Sequence, residues 1–173
     1  MTPRIRLCGL LLVAIASASM GESQPARAQN RNPLIGTWAL VSSIMTMPDG
    51  TMRPNAQVGP TPRGYMIYSD ANRMCAQFTN PARPQWKSTT EPTREELRSM
   101  IDFMGAYCAR YEVNVVEGYV VHHVEIDRVP NFSNEVRRRN FRFEGSDRLV
   151  LTAVPPPPGV LSLIHISEPT RRS

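Results

Sequence analysis

Seven short stretches rich in β-branched and aromatic residues constrain the fold of this chain more than any other feature. Turn-forming residues separate them. Pro48, Asp49 and Gly50 follow the first stretch, where Pro fixes φ and Gly accepts a positive φ. Strands at this spacing predict an all-β antiparallel sandwich or barrel rather than alternating helices and strands. The stretches cover residues 34–44, 63–69, 73–79, 108–115, 119–126, 136–144 and 148–154.

One helix is predicted within this series. Thr93 and Glu96 have the spacing of a capping box, in which each side chain binds the backbone amide of the other residue. From Leu97 to Met104, apolar residues then recur every three or four positions, which is typical of an amphipathic helix. We expect a helix over residues 94–106, between the third and fourth strands, whose apolar stripe packs on the sheet. A methionine-rich binding surface is the alternative.

The first 28 residues have the three zones of a secretory signal peptide. Arg4 and Arg6 precede an apolar run over residues 7–18, and a polar stretch then ends in Ala-Arg-Ala at 26–28. The apolar run is shorter than the roughly 20 residues that cross a bilayer as a helix. We expect cleavage after Ala28, a periplasmic or secreted mature protein, and no membrane association after cleavage.

The C-terminal residues match a sequence of technical origin. Residues 161–171, Leu-Ser-Leu-Ile-His-Ile-Ser-Glu-Pro-Thr-Arg, agree over their whole length with the in-frame translation of a common transposase sequencing adapter. We therefore expect residues 161–173 to be adapter-derived, and residues 29–160 to form one domain of ordinary size. The last strand of that domain is then missing or replaced.

The charge of the chain does not indicate a nucleic-acid partner. The full sequence has a formal net charge of +5, but residues 29–160 contain 15 basic and 13 acidic residues. The densest basic cluster, Arg137 to Arg139 with Arg142, lies on one predicted strand, where alternate side chains face opposite sides. A flat basic surface is therefore not expected, and we predict no nucleic-acid partner.

Metal and cofactor motifs are absent from the sequence. His122 and His123 are the histidines of residues 29–160, and as neighbours on a strand they face opposite sides, which is unsuited to chelating one metal. The chain also lacks a nucleophile elbow, a phosphate-binding loop and a helical zinc motif. We predict no metal and no cofactor, and we favour a protein without enzymatic activity, with an enzyme as the open alternative.

Strand alternation predicts polar groups inside the fold. In the strand that contains His122, the more apolar set of alternate residues includes His122 and Ile126. In the next strand, Phe141 and Phe143 alternate with Arg139 on the same face. We expect His122 and Arg139 to form a polar clamp in an apolar pocket, the form that most small-molecule sites take. A structural histidine and an arginine facing the mouth are the alternative.

Several motifs occur along the chain in a recognisable order. They include Gly-Thr-Trp at 36–38, Tyr-Cys-Ala-Arg-Tyr-Glu at 107–112 and His-His-Val-Glu at 122–125. This series resembles the lipocalin-like domain family of bacterial and fungal proteins, and the resemblance covers nearly all of residues 33–154. It implies an antiparallel β-barrel that ends in one more strand, usually bearing an Arg and a Trp. Here that position falls within residues 161–173.

The expected function is that of an exported carrier, because an eight-strand barrel can hold one small apolar ligand with a polar end. An isomerase or cyclase for a lipid-like or polyketide-like substrate, with His122 as acid or base, is one alternative. A structural domain without a ligand is the other. Cys75 and Cys108 either form a disulfide or stay free, and the oligomeric state is not predicted. The expected ligand-binding residues are His122, Arg139, Tyr111, Trp38, Phe141 and Phe143.

Overall fold

A computed structural model describes residues 32–170 of the chain. The signal peptide expected at residues 1–28 lies outside the described residues. Nine strands, one α-helix and one short 3-10 helix, Pro130–Phe132, make up the described part. In chain order the main elements are β1 (Gly36–Thr46), β2 (Met52–Pro54), β3 (Arg63–Tyr68), β4 (Arg73–Thr79), α1 (Arg94–Asp102), β5 (Met104–Asn114), β6 (Tyr119–Asp127), β7 (Val136–Glu144), β8 (Arg148–Val154) and β9 (Ser162–Pro169).

Eight of these strands close an antiparallel barrel. They pair in the order β1-β3-β4-β5-β6-β7-β8-β9, and β9 pairs back with β1. The short strand β2 pairs with residues 44–46 of β1, beyond the part of β1 that β3 covers. The predicted all-β antiparallel barrel is therefore confirmed.

The position of the helix corrects the prediction. It follows the fourth strand rather than the third, because β2 adds a strand of three exposed residues that is too short to show a periodic pattern. It also ends at Asp102 and not at residue 106. Residues 104–107 are extended and pair with β4, for example Met104 with Thr79, so the sheet ladder overrides the helical spacing of Met104.

The capping box at the start of α1 forms as the sequence predicts, but the apolar stripe of the helix does not pack as predicted. Thr93 Oγ1 accepts from the amide of Glu96 at 3.2 Å, and the Glu96 carboxylate accepts from the amide of Thr93 at 2.7 Å, which confirms the capping box. Leu97, Met100 and Ile101 are all exposed. The expectation that this stripe packs on the sheet is therefore wrong, since Glu96 and Ser99 are the buried residues of the helix.

No helix among residues 32–170 has the length and apolar character to span a bilayer.

The two ends of the barrel differ in their connections. Turns of three or four residues join β3 to β4, β5 to β6 and β7 to β8 at one end. The longer connections, residues 47–62, 80–103, 128–135 and 155–161, lie at the other end, which we call the mouth. Much of the hydrophobic core lies in the half next to the short turns, where Leu34, Trp38, Tyr111, Val120 and Leu149 are buried.

The interior face of β7 follows the predicted alternation. Arg137, Arg139, Phe141 and Phe143 are half-buried and the residues between them are exposed. The pairing of β7 with β6 and with β8 has no register shift. Arg139 therefore faces the barrel interior, as its spacing from the two phenylalanines predicts.

A β-bulge changes the alternation of β6. Its register shifts between the pairs Cys108–Ile126 and Ala109–Val124, so one extra residue lies in β6. His122 is buried as predicted, but Ile126 is 66% exposed, which corrects its predicted inward orientation. The side chain of Asp127 is only 6% exposed. The bulge thus places the Asp127 carboxylate inside the barrel, whereas regular alternation along β6 predicts no carboxylate there.

Residues 162–169 occupy the position of the last barrel strand. As β9, they pair with β1 from Trp38 to Thr46 and with β8 from Leu149 to Thr152. The strand that we expect to be missing or replaced is therefore supplied by the segment that matches the adapter translation.

Cys75 and Cys108 form a disulfide between β4 and β5. They are direct partners in the ladder, with a Cα–Cα distance of 4.1 Å. Of the two alternatives that the sequence leaves open, the structure has the bridge.

Candidate functional site

A cavity of about 460 Å³ lies in the mouth half of the barrel. Its volume falls in the range of small-molecule sites, roughly 300–1,000 Å³. The mouth half carries the long connections, whereas large core side chains such as Trp38 and Tyr111 lie at the opposite end. The apolar part of its wall includes Met66, Phe78, Leu151 and Leu163.

His122 lies at the base of this cavity between two tyrosines. It is fully buried on β6, its Nε2 is 2.9 Å from the Tyr68 hydroxyl of β3, and its Nδ1 is 3.0 Å from the Tyr107 hydroxyl of β5. Burial lowers the pKa of His122 to about 3, and the positive charges of Arg139 and Arg137 act in the same direction. The imidazole is therefore neutral near neutral pH.

Both tyrosines that contact His122 stay protonated. Burial raises the pKa of Tyr68 well above its ordinary value and also raises the pKa of Tyr107, although Arg139 opposes both increases. Tyr107 lines the cavity, whereas Tyr68 is not among the lining residues. The site thus holds two neutral phenol hydroxyls, one on each side of a neutral imidazole.

Two arginines on the same face of β7 have different partners. Arg137 donates to Asp127 Oδ2 at 3.0 Å and to Glu135 Oε2 at 2.9 Å, and its guanidinium lies 4.8 Å from the ring centre of Tyr107. Arg139 donates to the carbonyl of Arg138 at 3.1 Å. Among residues 32–170 it has no carboxylate within ion-pair distance, and its ladder partners Val120 and Ala153 are apolar.

Comparison with family models identifies the domain. Residues 35–158 match the family model of the lipocalin-like domain. The chain belongs to this family. A search of curated proteins gives no match. Among solved structures, a redesigned β-barrel matches with 10% sequence identity and a TM-score of 0.40, over 80% of this chain and 93% of that chain.

The lipocalin-like domain brings two of the six predicted site residues to the cavity wall, His122 and Arg139. The other four lie outside its lining, in the half of the barrel next to the short turns. There the Tyr111 hydroxyl donates to Ser69 O at 2.8 Å, and the rings of Trp38 and Phe143 are 5.8 Å apart. These four residues are Tyr111, Trp38, Phe141 and Phe143.

Tyr107 and Asp127 are among the lining residues of the lipocalin-like domain that the sequence pattern does not predict. Tyr107 falls between the predicted helix and the predicted strand, although alternation from Tyr111 through Ala109 leads to it. Asp127 turns inward through the bulge in β6, for which the sequence gives no signal. Within residues 32–170, no cluster of three or more His, Cys, Asp or Glu side chains is arranged to hold a metal ion.

Proposed function

We propose that this lipocalin-like domain binds a small apolar ligand that carries an acidic end. One observation supports this most directly: Arg139 lies on the cavity wall without a carboxylate partner among the described residues. Removing a cation from water is costly unless an acceptor compensates it. Arg137, two residues away, has two such acceptors, so of these two arginines Arg139 is the one that is available to a ligand.

The charges around the cavity support an anion at Arg139. Three guanidinium groups and two carboxylates line it, and both carboxylates are bound to Arg137. The remaining cations are Arg139 and Arg128, and Arg128 donates to the carbonyl of Ile101 at the mouth. The apolar wall and this excess positive charge suit a ligand with a hydrocarbon or aromatic body and a carboxylate.

We further propose that the protein acts outside the cytoplasm as a carrier. The three-zone pattern of residues 1–28 supports export. The disulfide between Cys75 and Cys108 is consistent with an oxidising compartment.

The geometry favours a carrier over an isomerase or cyclase. A general base needs a pKa near the working pH and access to the substrate proton. His122 has a pKa of about 3 because it is buried, and both of its ring nitrogens contact tyrosine hydroxyls. The imidazole is therefore better suited to orienting other groups than to accepting a proton from a substrate.

A displacement titration tests the proposal. A fluorescent fatty acid is displaced from the full chain by an unlabelled fatty acid or an aromatic carboxylate. Losing a hydrogen bond to a charged group costs about 1.5–3 kcal/mol, so Arg139→Leu should weaken carboxylate binding by roughly 10- to 100-fold. Arg138→Leu is the matched control, because Arg138 faces outward with its guanidinium 4.0 Å from the ring centre of Tyr119.

The controls separate the possible results. The affinity of Arg138→Leu should equal that of the wild type. If Arg139→Leu also retains the wild-type affinity, the anion site at Arg139 is wrong. If the wild-type protein binds none of the probes, the structural-domain alternative is favoured.

A further inference from the structure

We propose that Tyr68, His122 and Tyr107 form a hydrogen-bond chain of fixed direction, which makes the Tyr107 hydroxyl a donor to the ligand and selects carboxylates over alcohols. The ligand in this inference rests on the proposed function. The direction of the chain rests on which hydrogen-bond donors and acceptors have partners. The two contacts of His122, at 2.9 Å and 3.0 Å, define the chain.

A neutral imidazole donates from one nitrogen and accepts at the other, so only two arrangements fit these contacts. In the first, Nε2–H donates to Tyr68 and Tyr107 donates to Nδ1. In the second, Tyr68 donates to Nε2 and Nδ1–H donates to Tyr107. The two arrangements differ in which tyrosine keeps a hydroxyl proton that needs another acceptor.

The surroundings of the tyrosines decide between the two arrangements. Tyr68 is 1% exposed, does not line the cavity, and has His122 as the hydrogen-bond partner of its hydroxyl among the described residues. In the first arrangement its proton is buried without an acceptor, which is unfavourable. In the second, the spare proton belongs to Tyr107, which lines the cavity and can donate to water or ligand. The second arrangement leaves neither the imidazole proton nor a tyrosine hydroxyl proton of this chain buried without an acceptor.

The direction of the chain determines what the head group of a ligand can be. In the second arrangement, Tyr107 and Arg139 both donate into the cavity. The accepting nitrogen of His122 is taken by Tyr68, and the carboxylates of Asp127 and Glu135 are taken by Arg137. A carboxylate only accepts hydrogen bonds and balances the charge of Arg139. An alcohol can accept from the same donors, but it leaves the charge of Arg139 unbalanced.

The tautomer can be measured without any ligand. In the full chain labelled with ¹⁵N-histidine, at neutral pH, we expect His122 to show a protonated Nδ1 and an unprotonated Nε2. The chain has three histidines, so the signals that persist in both His123→Gln and His165→Gln belong to His122. A protonated Nε2 would overturn the inference, whether or not the protein binds carboxylates.

The proposed selectivity for carboxylates over alcohols is tested by competition with dodecanoate and dodecanol. We expect wild type to bind dodecanoate at least 10-fold more tightly, and Tyr107→Phe to weaken dodecanoate binding about 10-fold and dodecanol binding by a smaller factor, because a hydrogen bond to a charged acceptor is the stronger one. Tyr65→Phe, an exposed tyrosine of β3, is the matched control and should change neither affinity.

The outcomes distinguish this inference from the proposed function. If Tyr107→Phe binds dodecanoate as wild type does while Arg139→Leu does not, Tyr107 is no ligand donor and the proposed function stands. If wild type binds neither probe, the proposed function fails together with the selectivity. A protonated Nδ1 would still support the direction of the chain in that case. Circular dichroism of each variant verifies that it is folded.

Discussion

Burial of the His122 side chain makes the stability of the folded protein depend on pH in the acidic range. The pKa of His122 is about 3 in the folded protein and near the ordinary value of 6.5 when unfolded. Between these values the unfolded chain binds the additional proton, so the contribution of His122 to stability is fully present above pH 6.5 and is lost as the pH decreases towards 3. The slope is about 1.4 kcal/mol per pH unit for one such proton.

We therefore expect His122→Gln to reduce the pH dependence of stability. Between pH 4.5 and 6, its free energy of unfolding, measured with urea, should lose about 1.4 kcal/mol per pH unit less than that of wild type. Part of the slope should remain, because burial also lowers the pKa of His165 to about 3. Val120→Ala, at a buried position of the same strand, should lose stability without changing the slope. An unchanged slope in His122→Gln would show that the folded protein protonates this ring.

The sequence predicts single residues where the strand pattern is uninterrupted. Alternation along β7 is enough to place Arg139 beside the cavity, because no bulge interrupts that strand. Alternation also predicts that His122 is buried, but it is wrong for Ile126 and Asp127, which lie beyond the bulge in β6. A bulge depends on how two strands pair, and the sequence of one strand does not contain that information.

At the scale of elements, the junction between α1 and β5 shows where local patterns are insufficient. Met104 and Cys108 continue the helical spacing of the stripe, and they also fit an extended strand. Because the chain pairs with β4 from Met104 onwards, it forms a strand there and not a helix. The capping box has no such ambiguity, since it joins Thr93 and Glu96 within one turn, and it is predicted correctly.

The disulfide is expected to stabilise the pair of strands on either side of α1. Cys75 and Cys108 are 33 residues apart, and closing a loop of this size reduces the entropy of the unfolded chain. Replacing both residues with Ser should lower the free energy of unfolding by about 2–4 kcal/mol, measured by urea denaturation. Dithiothreitol should destabilise wild type by a similar amount and leave the double variant unchanged. Equal stability of wild type and double variant would show that the ladder between β4 and β5 fixes this region alone.

At the scale of the whole molecule, the barrel separates a packed half from a hollow half. Short turns and much of the buried core share one end, and long connections and the cavity share the other. The turn signals predict the strands and their antiparallel order. Closure depends on contacts between the two termini of the domain, far apart in sequence, and the adapter match excludes residues 161–173 from the predicted fold. For that reason the sequence does not predict β9, or Leu163 and His165 in the cavity wall.

Strand β9 should be necessary for a closed and soluble barrel. A chain that ends after Val160 leaves unpaired backbone groups along eight register positions of β1 and four of β8. Exposed strand edges promote aggregation, and loss of Leu163 also opens the apolar wall of the cavity. We expect most of this shortened chain to elute in the void volume in size-exclusion chromatography. A chain ending after Thr170 keeps all of β9 and should elute as the full chain does. If the shortened chain matches the full chain in elution and in urea stability, β1 and β8 close the barrel without β9.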